Sequence, residues 1–147
     1  MEIFGYIFIG IIVIYVLGFI VTLFSNDKTI TIEELSIHVT DWFIEMYPIR
    51  KKSPRIVISG ESSDYAGTYT FYNNTITLFT LNVSDYESIV EITLHELVHW
   101  REITSHSKDC LYDKQLKEYG YENHPQEIWC RAVAAELTKQ YIKQKMQ

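Results

Sequence analysis

Between Ile3 and Phe24 the chain carries no charged side chain, and from Asn26 onward it carries nearly all of them. At a rise of about 1.5 Å per residue, residues 3–24 would form about 33 Å of helix, enough to cross a hydrocarbon core. A helix would also satisfy its own backbone hydrogen bonds, as lipid requires. A cleavable signal needs a basic start and a small-residue exit, and neither Met1-Glu2 nor Leu23-Phe24-Ser25-Asn26-Asp27 supplies one. The expectation is therefore a single-pass membrane protein, with one transmembrane helix over 3–24 and a domain over 30–143. Lys28, Arg50, Lys51 and Lys52 all follow the span, which points the C-terminal domain toward the cytoplasm.

Composition limits the remainder. The 147 residues suit one domain, and 47% apolar content with 6 Gly and 3 Pro excludes collagen-like or wholly disordered chains. A net charge of -6, with no basic run longer than Arg50-Lys51-Lys52, argues against a nucleic-acid surface. Two cysteines are too few for a disulfide scaffold or a Cys-only zinc module.

Thr31-Ile32-Glu33-Glu34 spells a capping box, and Leu35, Val39, Trp42 and Met46 then recur at helical spacing until Pro48. His38 lies on or beside that stripe and is expected to be a hydrogen-bonded core histidine. Arg55 to Ser59 has the pattern of a short buried strand. Gly67 to Tyr72 and Thr75 to Phe79 alternate around Asn73-Asn74, which predicts a β-hairpin. Helical period returns at Ser84 or Asp85 through Ile89, Val90, Leu94, Leu97 and Val98. Ser105 to Asn123 is polar and is expected to be irregular. A last helix should start at Pro125 and run to near Lys143. The fold class is α+β.

His95-Glu96-Leu97-Val98-His99 is an HExxH motif inside a predicted helix. His99 lies about 40° around the helix from His95 and one turn along it, so both imidazoles can reach one ion. Glu96 projects about 60° further round, beside the metal and not onto it. There it can hold a water and take its proton as general base. The implied cofactor is Zn2+.

Such a site needs a third protein ligand. The HExxHxxGxxH pattern would require Gly at position 102 and His at 105, but the chain has Glu102 and Ser105, and His106 is out of register. The alternative is a carboxylate from the last helix. Its apolar stripe runs through Cys130, Val133, Ala134, Leu137 and Tyr141, and Glu127 borders that stripe. Glu136 lies about 180° from Glu127, among Lys139, Gln140 and Lys143, as a solvated charge would. Glu127 is the preferred third ligand, with His124 and Glu136 left open as alternatives. Tyr112, Tyr119, Tyr121, His106 and His124 are candidate donors to an oxyanion. Cys110 and Cys130 could pair in an oxidising compartment, with a buried free thiol the expectation for Cys130.

The HExxH, the preceding hairpin, and His124-Pro125-Gln126-Glu127 followed by Arg131-Ala132-Val133-Ala134-Ala135-Glu136-Leu137 resemble the small gluzincin-type zinc metallopeptidases, among them the antirepressor-cleaving type of phages and bacteria. The resemblance covers roughly residues 30–143. It implies a zincin-like minimal domain: a backing helix, a small twisted sheet, an active-site helix and a C-terminal ligand helix. It also implies a substrate extended along the sheet's edge strand, which would be Thr75 to Phe79. The chain departs from the family at Arg131, where many gluzincins place an Asp that orients a zinc-bound histidine, and at Trp129-Cys130. The resulting expectation is a monomeric zinc metallopeptidase acting on a peptide or protein. A non-catalytic, zinc-stabilised binding domain tethered at the membrane is the alternative.

Overall fold

A capping box opens the first helix. In the computed structural model, which describes residues 30–83 and 85–145, the Thr31 hydroxyl accepts from Glu34 N at 3.1 Å. The Glu34 carboxylate in turn accepts from Thr31 N at 3.0 Å. Helix α1 (Ile32–Met46) follows and buries Leu35, Val39, Trp42 and Phe43. Ser36 and Thr40 join that face, their hydroxyls donating to Ile32 O and Ser36 O. These small residues shift the buried arc, so His38 points outward and is exposed, contrary to the expected core position. Met46, in the last turn, is also exposed.

Strands β1 (Arg55–Ser59), β2 (Gly67–Thr70) and β3 (Thr75–Phe79) form a sheet of order β1-β3-β2. β2 and β3 are the expected antiparallel hairpin, with Tyr69 opposite Ile76. Asn74 takes the left-handed conformation that closes it, at φ 52°. Its amide donates to Lys52 O and Ser53 O, tying the turn to the segment before β1. β1 then pairs with β3 in parallel, Ile56 opposite Ile76. That pairing corrects one expectation: Thr75–Phe79 is the central strand, and the hairpin's edge is β2. β1 is half-buried rather than buried, whereas Ile76 and Leu78 of β3 lie in the core.

After a short 3-10 turn (Thr80–Asn82), Asp85 caps helix α2 (Tyr86–Glu102) by accepting from Ser88 N at 2.8 Å. α2 is the central helix and packs against α1 and strands β2 and β3. Val90, Leu94, Leu97, Val98 and Trp100 of α2 are buried. Each such aliphatic side chain contributes about 1.5–3 kcal/mol by leaving water.

The polar stretch expected to be irregular is instead helix α3 (His106–Tyr119). Ser105 caps its start, and Gly120 at φ 71° ends it. It buries no residue, so it carries no apolar stripe for periodicity to detect. Helix α4 (Pro125–Lys145) packs on α2 through Cys130, Ala134, Leu137 and Tyr141. Thr31–Gln147 forms one unit of contacts, α+β as expected.

The transmembrane expectation is corrected. Its residues, 3–24, lie outside the described ones, and among the described residues no helix is long and apolar enough to cross a membrane. Among the described residues the fold is four α-helices and a three-stranded sheet, none of the helices able to span a membrane, and a single-pass membrane location is not supported.

Candidate metal centre

With its aliphatic residues filling the core-facing arc, α2 turns His95, Glu96 and His99 to another side. α4 supplies Glu127 from its first turn. His99 Nε2 lies 3.0 Å from Glu127 Oε1 and 3.1 Å from His95 Nε2, and His95 Nε2 lies 3.1 Å from Glu127 Oε2. Ligand atoms around a tetrahedral ion with bonds of about 2.05 Å stand ~3.3 Å apart. Each imidazole here meets a different Glu127 oxygen at about that separation, and the triangle made by one ligand atom from each residue has no side longer than 4.8 Å. Glu127 and His99 are buried, and the His95 side chain is only 12% exposed. Three ligand atoms converging away from water on one point could hold a metal ion.

The charges fit that reading. Burial would raise the Glu127 carboxyl, but hydrogen bonds from His95, His99 and Tyr112 overcome it and hold the group well below the usual carboxylate range. Burial disfavours a charged His95, yet the Glu127 hydrogen bond and the charges of Glu96 and Glu127 outweigh it and raise the imidazole. A metal would satisfy all three groups at once.

Glu96 is buried beside the triangle and is not one of its members. Burial pushes its carboxyl up, against the pull of His99 and His95. The Tyr69 backbone N–H donates to it from β2. Strand β2 comes this close because Gly67 has no side chain: a Cβ there would meet Ile92 Cγ2 at 2.8 Å and Glu96 Cγ at 3.0 Å.

The alternatives for the third ligand sit elsewhere. His124 is fully buried, but its Nδ1 accepts from Gln126 N at 3.1 Å, capping α4. That assigns its proton to Nε2, which donates to Tyr112 O at 3.1 Å. His124 is thus a cap and a tie to α3. Glu136 is solvated and pairs with Lys139 at 3.8 Å.

A cleft of about 240 Å3 opens over the triangle, walled by β2, α2 and α3. Two of the five candidate oxyanion donors line it, Tyr112 and Tyr121. The Tyr112 hydroxyl donates to Glu127 Oε1. Burial first, and then the Glu127 carboxylate, raises both phenols far above their usual range, so each stays a donor. His106 pairs with Tyr72 at 3.1 Å, and neither it nor Tyr119 lines the cleft.

Several contacts went unread in the sequence. Tyr112 on Glu127 comes from a helix that has no apolar signal. Cys130 Sγ lies 3.7 Å from His99 Nδ1 and is fully buried, while Cys110 is exposed; both are free thiols. Arg131, at the position where gluzincins carry the orienting Asp, turns its guanidinium to Glu122 O and the Tyr121 ring instead. The Ser105 and Gly120 caps were the available signal for α3. Compared with known proteins, the chain matches no protein family, no curated protein and no solved structure.

Proposed function

We propose that the chain is a zinc-dependent metallopeptidase in which His95, His99 and Glu127 hold the metal and Glu96 moves the proton. The observation that carries this reading is the convergence of the three ligand atoms on one wall of a cleft, with the non-ligand carboxylate of Glu96 beside them. Two imidazoles and one carboxylate are a donor set that suits zinc and leaves a coordination position for substrate, the pattern of a catalytic site. The two-histidine helix and ligand-bearing α4 also match what the gluzincin resemblance implies.

Zinc bound there would supply Lewis-acid polarisation of the scissile carbonyl and a water of lowered pKa. Glu96 takes a proton from the attacking water and returns it to the departing amine as the C–N bond breaks. Burial favours its neutral form, so it can hold that proton between the two steps. Tyr112 and Tyr121 both line the cleft as donors to the developing oxyanion, and both hydroxyls hydrogen-bond Glu127. Among the described residues β2 pairs only with β3, and its outer edge at Gly67–Thr70, where the Tyr69 N–H is given to Glu96, lines the cleft along which a peptide would extend.

The test is Glu96→Gln in the zinc-loaded full chain, incubated with a random peptide library and read by mass spectrometry. Wild type should cleave, while the variant should keep its zinc and fold and lose cleavage by about a hundredfold or more. Equal cleavage by the two proteins would remove Glu96 from the mechanism.

A further inference from the structure

α4 touches His99 at both ring nitrogens. Glu127 meets Nε2 at 3.0 Å, and one helical turn on, Cys130 Sγ lies 3.7 Å from Nδ1. Both contacts are sealed from water, with Cys130 at 0% exposure and His99 at 5%. A histidine that binds metal through one nitrogen carries its proton on the other, and that N–H needs an acceptor to fix the tautomer and the ring plane. Carboxylates, backbone carbonyls or water usually fill this place. Here, among the described residues, the partner of His99 Nδ1 is a thiol sulfur. Arg131, the neighbour that might have been acidic, faces Glu122 instead.

We infer that Cys130 is the positioning residue of the metal centre: its sulfur accepts from His99 Nδ1–H and holds the imidazole with Nε2 aimed at the ion. This rests on the metal-centre reading above. Cys130 is not itself a ligand in this scheme, since its sulfur lies on the far side of the ring from Nε2. A neutral sulfur is a weak acceptor, so the effect should fall at the low end of the range found for such partners.

The experiment compares Cys130→Ser, which keeps a hydrogen-bonding atom, with Cys130→Val, which replaces it by a somewhat larger apolar side chain. Zinc Kd is measured for the full chain by competition with a chromogenic chelator, and the His99 ring nitrogens are followed by NMR. Cys130→Val should weaken zinc about tenfold and shift the Nδ1 resonance, while Cys130→Ser stays within about threefold of wild type. If Cys130→Val fails to fold, Cys130→Ala carries the same expectation. Cobalt-loaded wild type should show no sulfur-to-cobalt charge-transfer absorption. Equal Kd for wild type and the apolar variants overturns the inference, as does a charge-transfer band, which would make Cys130 a ligand. A wild type that takes up neither zinc nor cobalt overturns the metal-centre reading itself, a distinguishable result.

Discussion

Gly67 and Glu96 are packed so closely that a methyl group on Gly67 would stand 3.1 Å from Glu96 Oε1. The edge strand and the motif helix therefore touch through a hydrogen atom, and the Tyr69 N–H reaches the carboxylate across that contact.

Gly67→Ala should force β2 away from α2 at a cost of about 1–3 kcal/mol, the usual range for overpacking. Because Glu96 is not a ligand, zinc affinity should stay within about twofold while peptide cleavage falls. Urea unfolding, zinc titration and a cleavage assay check the three parts. A large loss of zinc affinity would show that the strand supports the ligands and not the general base.

Glu127→Ala should abolish tight zinc binding, with a loss of more than about a hundredfold, and leave the helical circular dichroism intact. Glu136→Ala should bind as wild type does, since that side chain is solvated and paired with Lys139. His124→Ala should cost about 1 kcal/mol as a lost helix cap, with a smaller change in zinc affinity. A reversed ranking among the three would reject the assignment of the third ligand.

Metal removal has a thermal signature. At free zinc a hundredfold above Kd, binding stabilises the folded state by about 2.7 kcal/mol. Adding a chelator should therefore lower Tm of wild type and leave Tm of Glu127→Ala unchanged. Equal shifts in both proteins would mean that zinc acts elsewhere.

Lys51 offers a test that does not involve metal. Its ammonium donates to Trp100 O, to Ile103 O at 2.9 Å and to the Tyr69 hydroxyl at 3.1 Å, closing the C-terminal end of α2. Burial lowers its pKa from 10.5 to about 8. Between those values the unfolded chain holds more protons at this site than the folded one, so this group makes stability rise with pH across that window. Lys51→Met removes that contribution. The wild type should gain on the variant between pH 8 and pH 10 in urea unfolding, and a constant difference would contradict the lowered value.

What could be read from the sequence was local. The Thr31 box, the Asn74 turn and the pattern His95, Glu96 and His99 are set by neighbours within a few residues, and the structure has each of them. Stripe arithmetic put Glu127 on the inner border of the last helix, and it stands 3.0 Å from His99. The misses were long-range or unpatterned. Alternation marks a strand without saying which strand lies beside it, so the parallel pairing of β1 with β3 and the edge position of β2 were hidden. His38 was misjudged because buried Ser36 and Thr40 moved the inner face of α1. The contact of Cys130 with His99 depends on how two helices meet, which no single stripe records.

Helix α3 buries none of its side chains, and polar ties such as the His124 bond to Tyr112 O help hold it to its surroundings. A segment attached in this way opens at a far lower free energy than the helices beneath it. Its amides should exchange with deuterium early, while those around Leu94 and Leu97 persist to global unfolding. Each such opening would strip one wall from the cleft and release Glu127 from Tyr112, so the lifetime of α3 in its closed position would set how long a bound molecule is kept from bulk water.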